Sequence, residues 1–290
     1  LTCIGSGNSS LGLILVLCHF FCGKCIVLHT HLFPGVLFQV PGTLEQGLRM
    51  GIDSPDIFLP CPREGQQTLF YADYLLASEE SEPGTGWYYT RWLQMLDNNS
   101  STNTLSLGKQ IIDDFTDASS SGMSYRTVTT LSLIDLAELS GTVLKNLGAF
   151  GEELTEQLKG QDYQAVATAR NGTREFAQSQ KLDQVDLVDF CSRLGTKEAT
   201  QLAASIKSAV KYNKVSNVTN AYGLSIYFPN SRLKSVNSML KLYESIGIDS
   251  NWSEGIRAYA TLESSGQIAA SSGSSRRRRL KSGTWRSPSP

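Results

Sequence analysis

Between residues 71 and 265, short apolar and β-branched runs alternate with amphipathic helical stretches, which restricts the chain to folds that layer helices on a sheet. "YADYLLAS" (71–78) and "AYGLSIYFP" (221–229) read as buried strands of one sheet, the second stopped by Pro229. "SYRTVTTLSLIDL" (124–136) opens on β-branched residues and reads as a strand running into a helix near Ile134. That helix shows Leu136, Leu139, Val143, Leu144 and Leu147 on one side, and another follows through Leu154 and Leu158. Leu107, Ile111 and Phe115 recur every four residues in "LGKQIIDDF", and Leu187, Phe190 and Leu194 mark a short helix capped by Asp186. "KEATQLAASIKSAVKY" (197–212) is amphipathic through Leu202, Ile206, Ala209 and Val210. Strands separated by helices predict an α/β sandwich with a mostly parallel central sheet. Ligands of such sheets bind outside the carboxyl ends of the strands, which puts the loop "ASEESEPGTGW" (77–87) at the edge of a site.

Three zones flank and include this pattern. Residues 1–70 are apolar and rich in Cys and His, residues 71–265 form the patterned body, and residues 266–290 are a Ser/Gly/Arg/Pro tail expected to be disordered. The chain has 290 residues and a net charge of −1, but Arg276, Arg277, Arg278, Arg279, Lys281 and Arg286 all lie in the tail. Without these six the rest carries 20 basic against 27 acidic residues, so the body is acidic and offers nothing to a nucleic acid.

All three histidines, His19, His29 and His31, lie in the head, as do five of the six cysteines. Any His or Cys chemistry therefore comes from the head or from Cys191. Cys18, Cys22 and Cys25 have a C-x3-C-x2-C spacing that can hold an iron–sulfur cluster or zinc, but they sit in a continuous apolar run, where Cys and Phe are more often core. Residues 11–22, "LGLILVLCHFFC", have the apolarity of a signal peptide without a basic residue before them. They are also shorter than the ~20 residues of a membrane span, so a buried strand is the preferred reading and no membrane is expected. Location stays open, secretion included. No G-x-S-x-G elbow, phosphate loop or dinucleotide fingerprint occurs.

Glu79, Glu80 and Glu82 come after a strand at the expected ligand edge, and Trp87 returns the chain to the fold. Read alone they are either a solvated acidic turn or a receptor for a cationic side chain.

Taken together, "YADYLLASEESEPGTGWYYTRWLQML", "LGKQIIDDF", "TLSLIDLAEL" and "NAYGLSIYFP", in that order, resemble the clostripain-like cysteine peptidases over residues 71–260. Weaker similarity reaches back through "GTLEQGLRMGIDSPDI" (42–57). The resemblance implies a caspase-like sandwich, a Cys–His dyad and cleavage after Arg or Lys in peptide or protein substrates by a monomer. It implies no cofactor other than calcium, which some relatives use. The family's nucleophile motif has the form F-D-A-C-L-M; here "FLPCPREG" keeps Phe58 and Cys61 at that spacing but has Leu59, Pro60, Pro62 and Arg63 around them. The family's base stands in W-D-H-G after an apolar strand; here "LILVLCHFF" offers His19 without the Trp, Asp or Gly. Cys61 and His19 are thus the dyad the resemblance points to, with Ser78, Glu79, Glu80 and Glu82 as the substrate-binding residues. Pro60 and Pro62 each remove a backbone N–H next to the nucleophile and oppose strand pairing there. The alternative expectation is therefore a peptidase homologue without activity, with the head outside the sheet.

Overall fold

The computed structural model describes residues 13–20, 23–30, 36–41, 73–82, 87–121, 128–160, 163–230, 233–245 and 247–266. Cys61, the strand expected near Ile57 and nearly all of the Arg-rich tail lie outside them.

Strands β1 (Leu13–Phe20), β2 (Gly23–Thr30) and β3 (Val36–Pro41) are followed by β4 (Tyr74–Ser78). Helices α1 (Thr90–Asn98) and α2 (Thr104–Ser121) lead to β5 (Thr129–Asp135). Asp135 accepts hydrogen bonds from the Ala137 and Glu138 N–H groups, both at 3.0 Å, and so turns β5 directly into α3 (Leu136–Glu138). A π-helical turn, Leu139–Val143, continues α3 into α4 (Leu144–Lys159), so the two helices read from the sequence are one rod. Then come α5 (Tyr163–Gly172), β6 (Glu175–Phe176), β7 (Gln184–Asp186), α6 (Leu187–Leu194) and α7 (Lys197–Ala209). The last described elements are β8 (Val210–Ser216), β9 (Ser225–Tyr227), α8 (Val236–Ser245) and α9 (Ser250–Ser264).

The strands form a six-stranded sheet in the order β1-β2-β3-β4-β5-β8 and a three-stranded sheet in the order β6-β7-β9. This corrects several expectations, the first being that the head stays outside the sheet: β1 to β3 lie within it. Among the described residues only β3 and β4 pair in parallel; every other pairing there is antiparallel. The mostly parallel sheet fails because a single crossover helix returns the chain to the same end of a sheet. Here α1, which the sequence reading missed, joins α2 in a two-helix connection, and β5 comes back against β4 in the opposite sense. The two strands assigned to one sheet also lie in different ones, β4 in the larger and β9 in the smaller. Nor does the helix at 197 run on to Tyr212: it stops at Ala209, and 210–216 pairs with β5.

Period-2 alternation places β4 and β5 between two apolar clusters. Leu76, Leu131 and Leu133 pack with Trp87, Trp92, Ile111, Ile112 and Phe115 under α1 and α2. Leu75, Ala77 and Ile134 pack on the other face in a larger cluster built by α3 to α9 with β7 and β9. The sheet thus has helices on both faces. In the larger cluster α9 crosses α4 at glycines: a Cβ on Gly151 would collide with the backbone N of Trp252, and one on Gly255 would lie 3.2 Å from the Gly151 carbonyl. That approach seats the buried Trp252 ring 6.2 Å from Phe150 and 6.0 Å from Phe228, centroid to centroid. Gly151→Ala is expected to lower stability by about 2 kcal/mol or more through overpacking. Urea denaturation checks this, and a midpoint equal to the wild type contradicts the close helix contact.

Candidate functional site

The edge where β4 ends is built from the hydroxyl of Thr130 on the neighbouring strand. Its Oγ1 accepts from the Glu79 N–H at 2.8 Å and the Glu80 N–H at 3.1 Å, and lies 3.1 Å from Ser78 Oγ. Ser78 Oγ in turn donates to the Glu80 carbonyl at 2.7 Å. One chain of hydroxyls therefore satisfies the backbone at the strand's end, and Ser78 is consumed by it.

The three acids expected at this edge have three different surroundings. Glu79 points inward and is only 4% exposed; its Oε2 accepts from the Gly223 N–H at 2.9 Å. Its carboxyl meets that of Asp186, which is fully buried. Burial, then the charge of Asp186 and a hydrogen bond to it, hold Glu79 well above the usual carboxylate range. Glu80 is half-buried, and its Oε1 accepts from Ser81 N–H at 2.8 Å and from Ala177 N–H at 3.1 Å. The second bond offsets the strain of Ala177, which sits at φ 49°. Glu80 Oε2 makes no hydrogen bond among the described residues, and no Lys or Arg there forms an ion pair with Glu80. Glu82 Oε2 accepts from the indole Nε1 of Trp87 at 3.0 Å, and Trp87 is anchored against Phe115 at 5.9 Å.

His19 lies inside β1, one residue from its end, rather than beyond the strand, and pairs across to Lys24. Carried along the registers of β2, β3 and β4, His19, Lys24, Pro41 and Ser78 fall at one level of the sheet. His19 therefore reaches the same edge as the acidic loop, three strand spacings or about 14 Å along it. Cys61 lies outside the described residues, and with it the expected His19–Cys61 contact.

The remaining candidate nucleophile is excluded by its setting. Cys191 is fully buried in α6; burial first, then the charges of Asp186 and Glu153, push its thiol far above the usual range. No cluster of metal-binding side chains occurs among the described residues, and no helix there is long and apolar enough to cross a membrane. Sequence reasoning found the acidic loop and the Asp186 cap, whose Oδ1 accepts from Asp189 N–H at 2.6 Å. It missed that Asp186 also meets Glu79, because nothing local in either segment names a partner in the other.

The sequence model of the clostripain family matches residues 64–264. No curated protein sequence matches the chain. Among solved structures, an inactive zymogen C11 protease from Parabacteroides distasonis is 20% identical, covering 62% of this chain and 53% of its own, with a TM-score of 0.45. A clostripain from Bacteroides thetaiotaomicron, solved with a peptide inhibitor, is 14% identical over 65% of this chain and 78% of its own, with a TM-score of 0.45. A B. fragilis cysteine protease is 18% identical over 63% of this chain and 81% of its own, with a TM-score of 0.40. The chain thus spans about half the length of the first of these.

Burial makes Cys191 inert. Iodoacetamide treatment of the native protein, followed by peptide mapping, is expected to leave Cys191 unmodified until denaturant is added; labelling in the native state contradicts the assignment.

Proposed function

The chain belongs to the clostripain family, and from that premise we propose that it is a cysteine endopeptidase that cuts after Arg or Lys. Cys61 attacks the scissile carbonyl, forming the C–S bond. His19 takes the thiol proton and returns it to the leaving amine as the C–N bond breaks, and water then hydrolyses the thioester. The observation that carries the specificity is Glu80, a half-exposed carboxylate fixed at the carboxyl edge of the sheet through Oε1 alone. A positioned carboxylate with a spare oxygen suits a guanidinium or ammonium group. Ser78 and Glu79 hold the strand end beneath it, and Glu82 ties the loop to Trp87. His19 is at the level of Ser78. A peptide substrate binding one copy of the chain is sufficient for this scheme.

A second reading, a homologue without catalysis, is favoured by one observation: the family match begins at residue 64, past Cys61 and His19. The residues matched are then scaffold, and the only cysteine among them is the inert Cys191. Under this reading the edge still receives basic side chains but cuts nothing.

A fluorogenic peptide ending in Arg separates the two. The first reading predicts turnover that Cys61→Ala or His19→Ala lowers by about 1,000-fold or more. Glu80→Gln keeps the acceptor for Ala177 and loses only the charge, so it should raise KM about ten-fold with kcat little changed. No turnover in the wild type supports the second reading, and turnover that survives Cys61→Ala puts the nucleophile elsewhere.

A further inference from the structure

Glu79 and Asp186 are used by no step of the proposed chemistry, yet they join the two sheets. Glu79 comes directly after β4 of the larger sheet; Asp186 ends β7 of the smaller one and caps α6. Two consecutive amides of the loop between β8 and β9 bind them: Tyr222 N–H donates to Asp186 Oδ2 at 2.5 Å and Gly223 N–H to Glu79 Oε2 at 2.9 Å. Gly223 sits at φ 104°, where a Cβ would lie 2.6 Å from Ser132 Oγ, so a glycine is required for this amide to face Glu79.

No Lys or Arg among the described residues forms an ion pair with either acid. Asp186 is the better-placed anion, with two backbone donors and the N-terminus of α6. Glu79 has one backbone donor, and nothing donates to its Oε1. Two buried carboxylates in contact without a cation cannot both be charged, so one proton is shared, carried by Glu79 and donated to Asp186.

We propose that Glu79, Asp186 and this single proton form a latch that holds the β8–β9 loop against the end of β4, and that losing the proton opens it. The other charged and titratable groups around the pair do not replace the proton. Asp189, on α6, faces Asp186 but is paired with Arg193 at 3.1 Å and with the Arg174 N–H. Arg174 reaches the same loop at the Thr219 carbonyl, 2.9 Å away. Cys191, also on α6, is neutral; Lys207 lies over the Tyr222 ring, 5.5 Å from its centroid; and Glu80, next on the chain, turns to Ala177. The latch sets the position of Tyr222, a partly exposed aromatic residue beside the acidic edge, whether or not that edge cuts peptides.

Burial sets the sign of the pH dependence. Asp186 is raised to about 6, by burial first, and Glu79 lies well above the usual range. Glu79, with fewer donors, holds its proton longer than Asp186, and once rising pH removes it two buried charges repel. Both acids hold protons more tightly folded than unfolded, so their contribution to stability falls as pH rises. Glu263, raised to about 7, adds to this slope, so the informative quantity is the difference between variant and wild type.

Glu79→Gln is the test, because an amide mimics the protonated acid: its oxygen accepts from Gly223 and its NH₂ donates to Asp186. Amide hydrogen exchange of residues 217–223 should be alike in the two proteins at pH 6. At pH 9 the wild type should exchange about ten-fold faster than the variant, or more, and its Tm should drop further than the variant's. Equal exchange at pH 9, or faster exchange in Glu79→Gln at both pH values, overturns the latch. If the variant does not fold, the wild type decides alone: rates corrected for intrinsic base catalysis should rise about ten-fold from pH 6 to pH 9, and unchanged corrected rates overturn the proposal.

Discussion

Strand β4 is covered on both faces, and most of the remaining architecture depends on that constraint. Leu76 looks to the cluster under α1 and α2, while Leu75 and Ala77 look to the larger cluster on the other side. A strand buried on both faces cannot slip register without turning its apolar residues into the wrong layer. Its end is therefore fixed, and the next residues of the chain, Glu79 to Glu82, are delivered to a defined place. Thr130 on β5 strengthens this by accepting both amides that leave the strand. The acidic edge is thus a consequence of packing below it, and its charge is placed by groups that are themselves neutral.

The legible parts of the fold are those whose signal is local. The apolar run in "YLLAS", the β-branched opening of "TTLSLID", the Asp186 cap and the apolar spacing of α2 all sit within a few residues, and each element is present. Strand β8 was hidden because "VKYNKVS" is half-buried along its whole length and continues the apolar stripe of α7 without a break. Helix α1 is short, and the sequence reading passed over its apolar stripe, Trp92, Met95 and Leu96, which packs Trp92 and Leu96 into the smaller cluster. Missing that helix is what turned an antiparallel pairing into an expected parallel one. The candidate site divides in the same way. Its acids could be named from sequence, but their division of labour could not: Glu79 turns inward to an acid on another sheet, Glu80 faces out, and Glu82 binds an indole.

The described body from 73 to 266 holds an acidic edge and a scaffold, with one cysteine that burial has disabled. The proposed reading assigns the chemistry to Cys61 and His19. The proline-flanked Cys61 is the point at which the family's pattern and this sequence diverge most, and the fate of that one thiol decides between an enzyme and a binding scaffold.

The most direct measurement is covalent. An acyloxymethyl ketone peptide carrying Arg at the position before the warhead is incubated with the native chain, and the adduct is located by mass spectrometry. The account predicts one adduct, on Cys61, abolished when Arg in the probe is replaced by Glu. An adduct on any other cysteine, or no adduct at all, contradicts it.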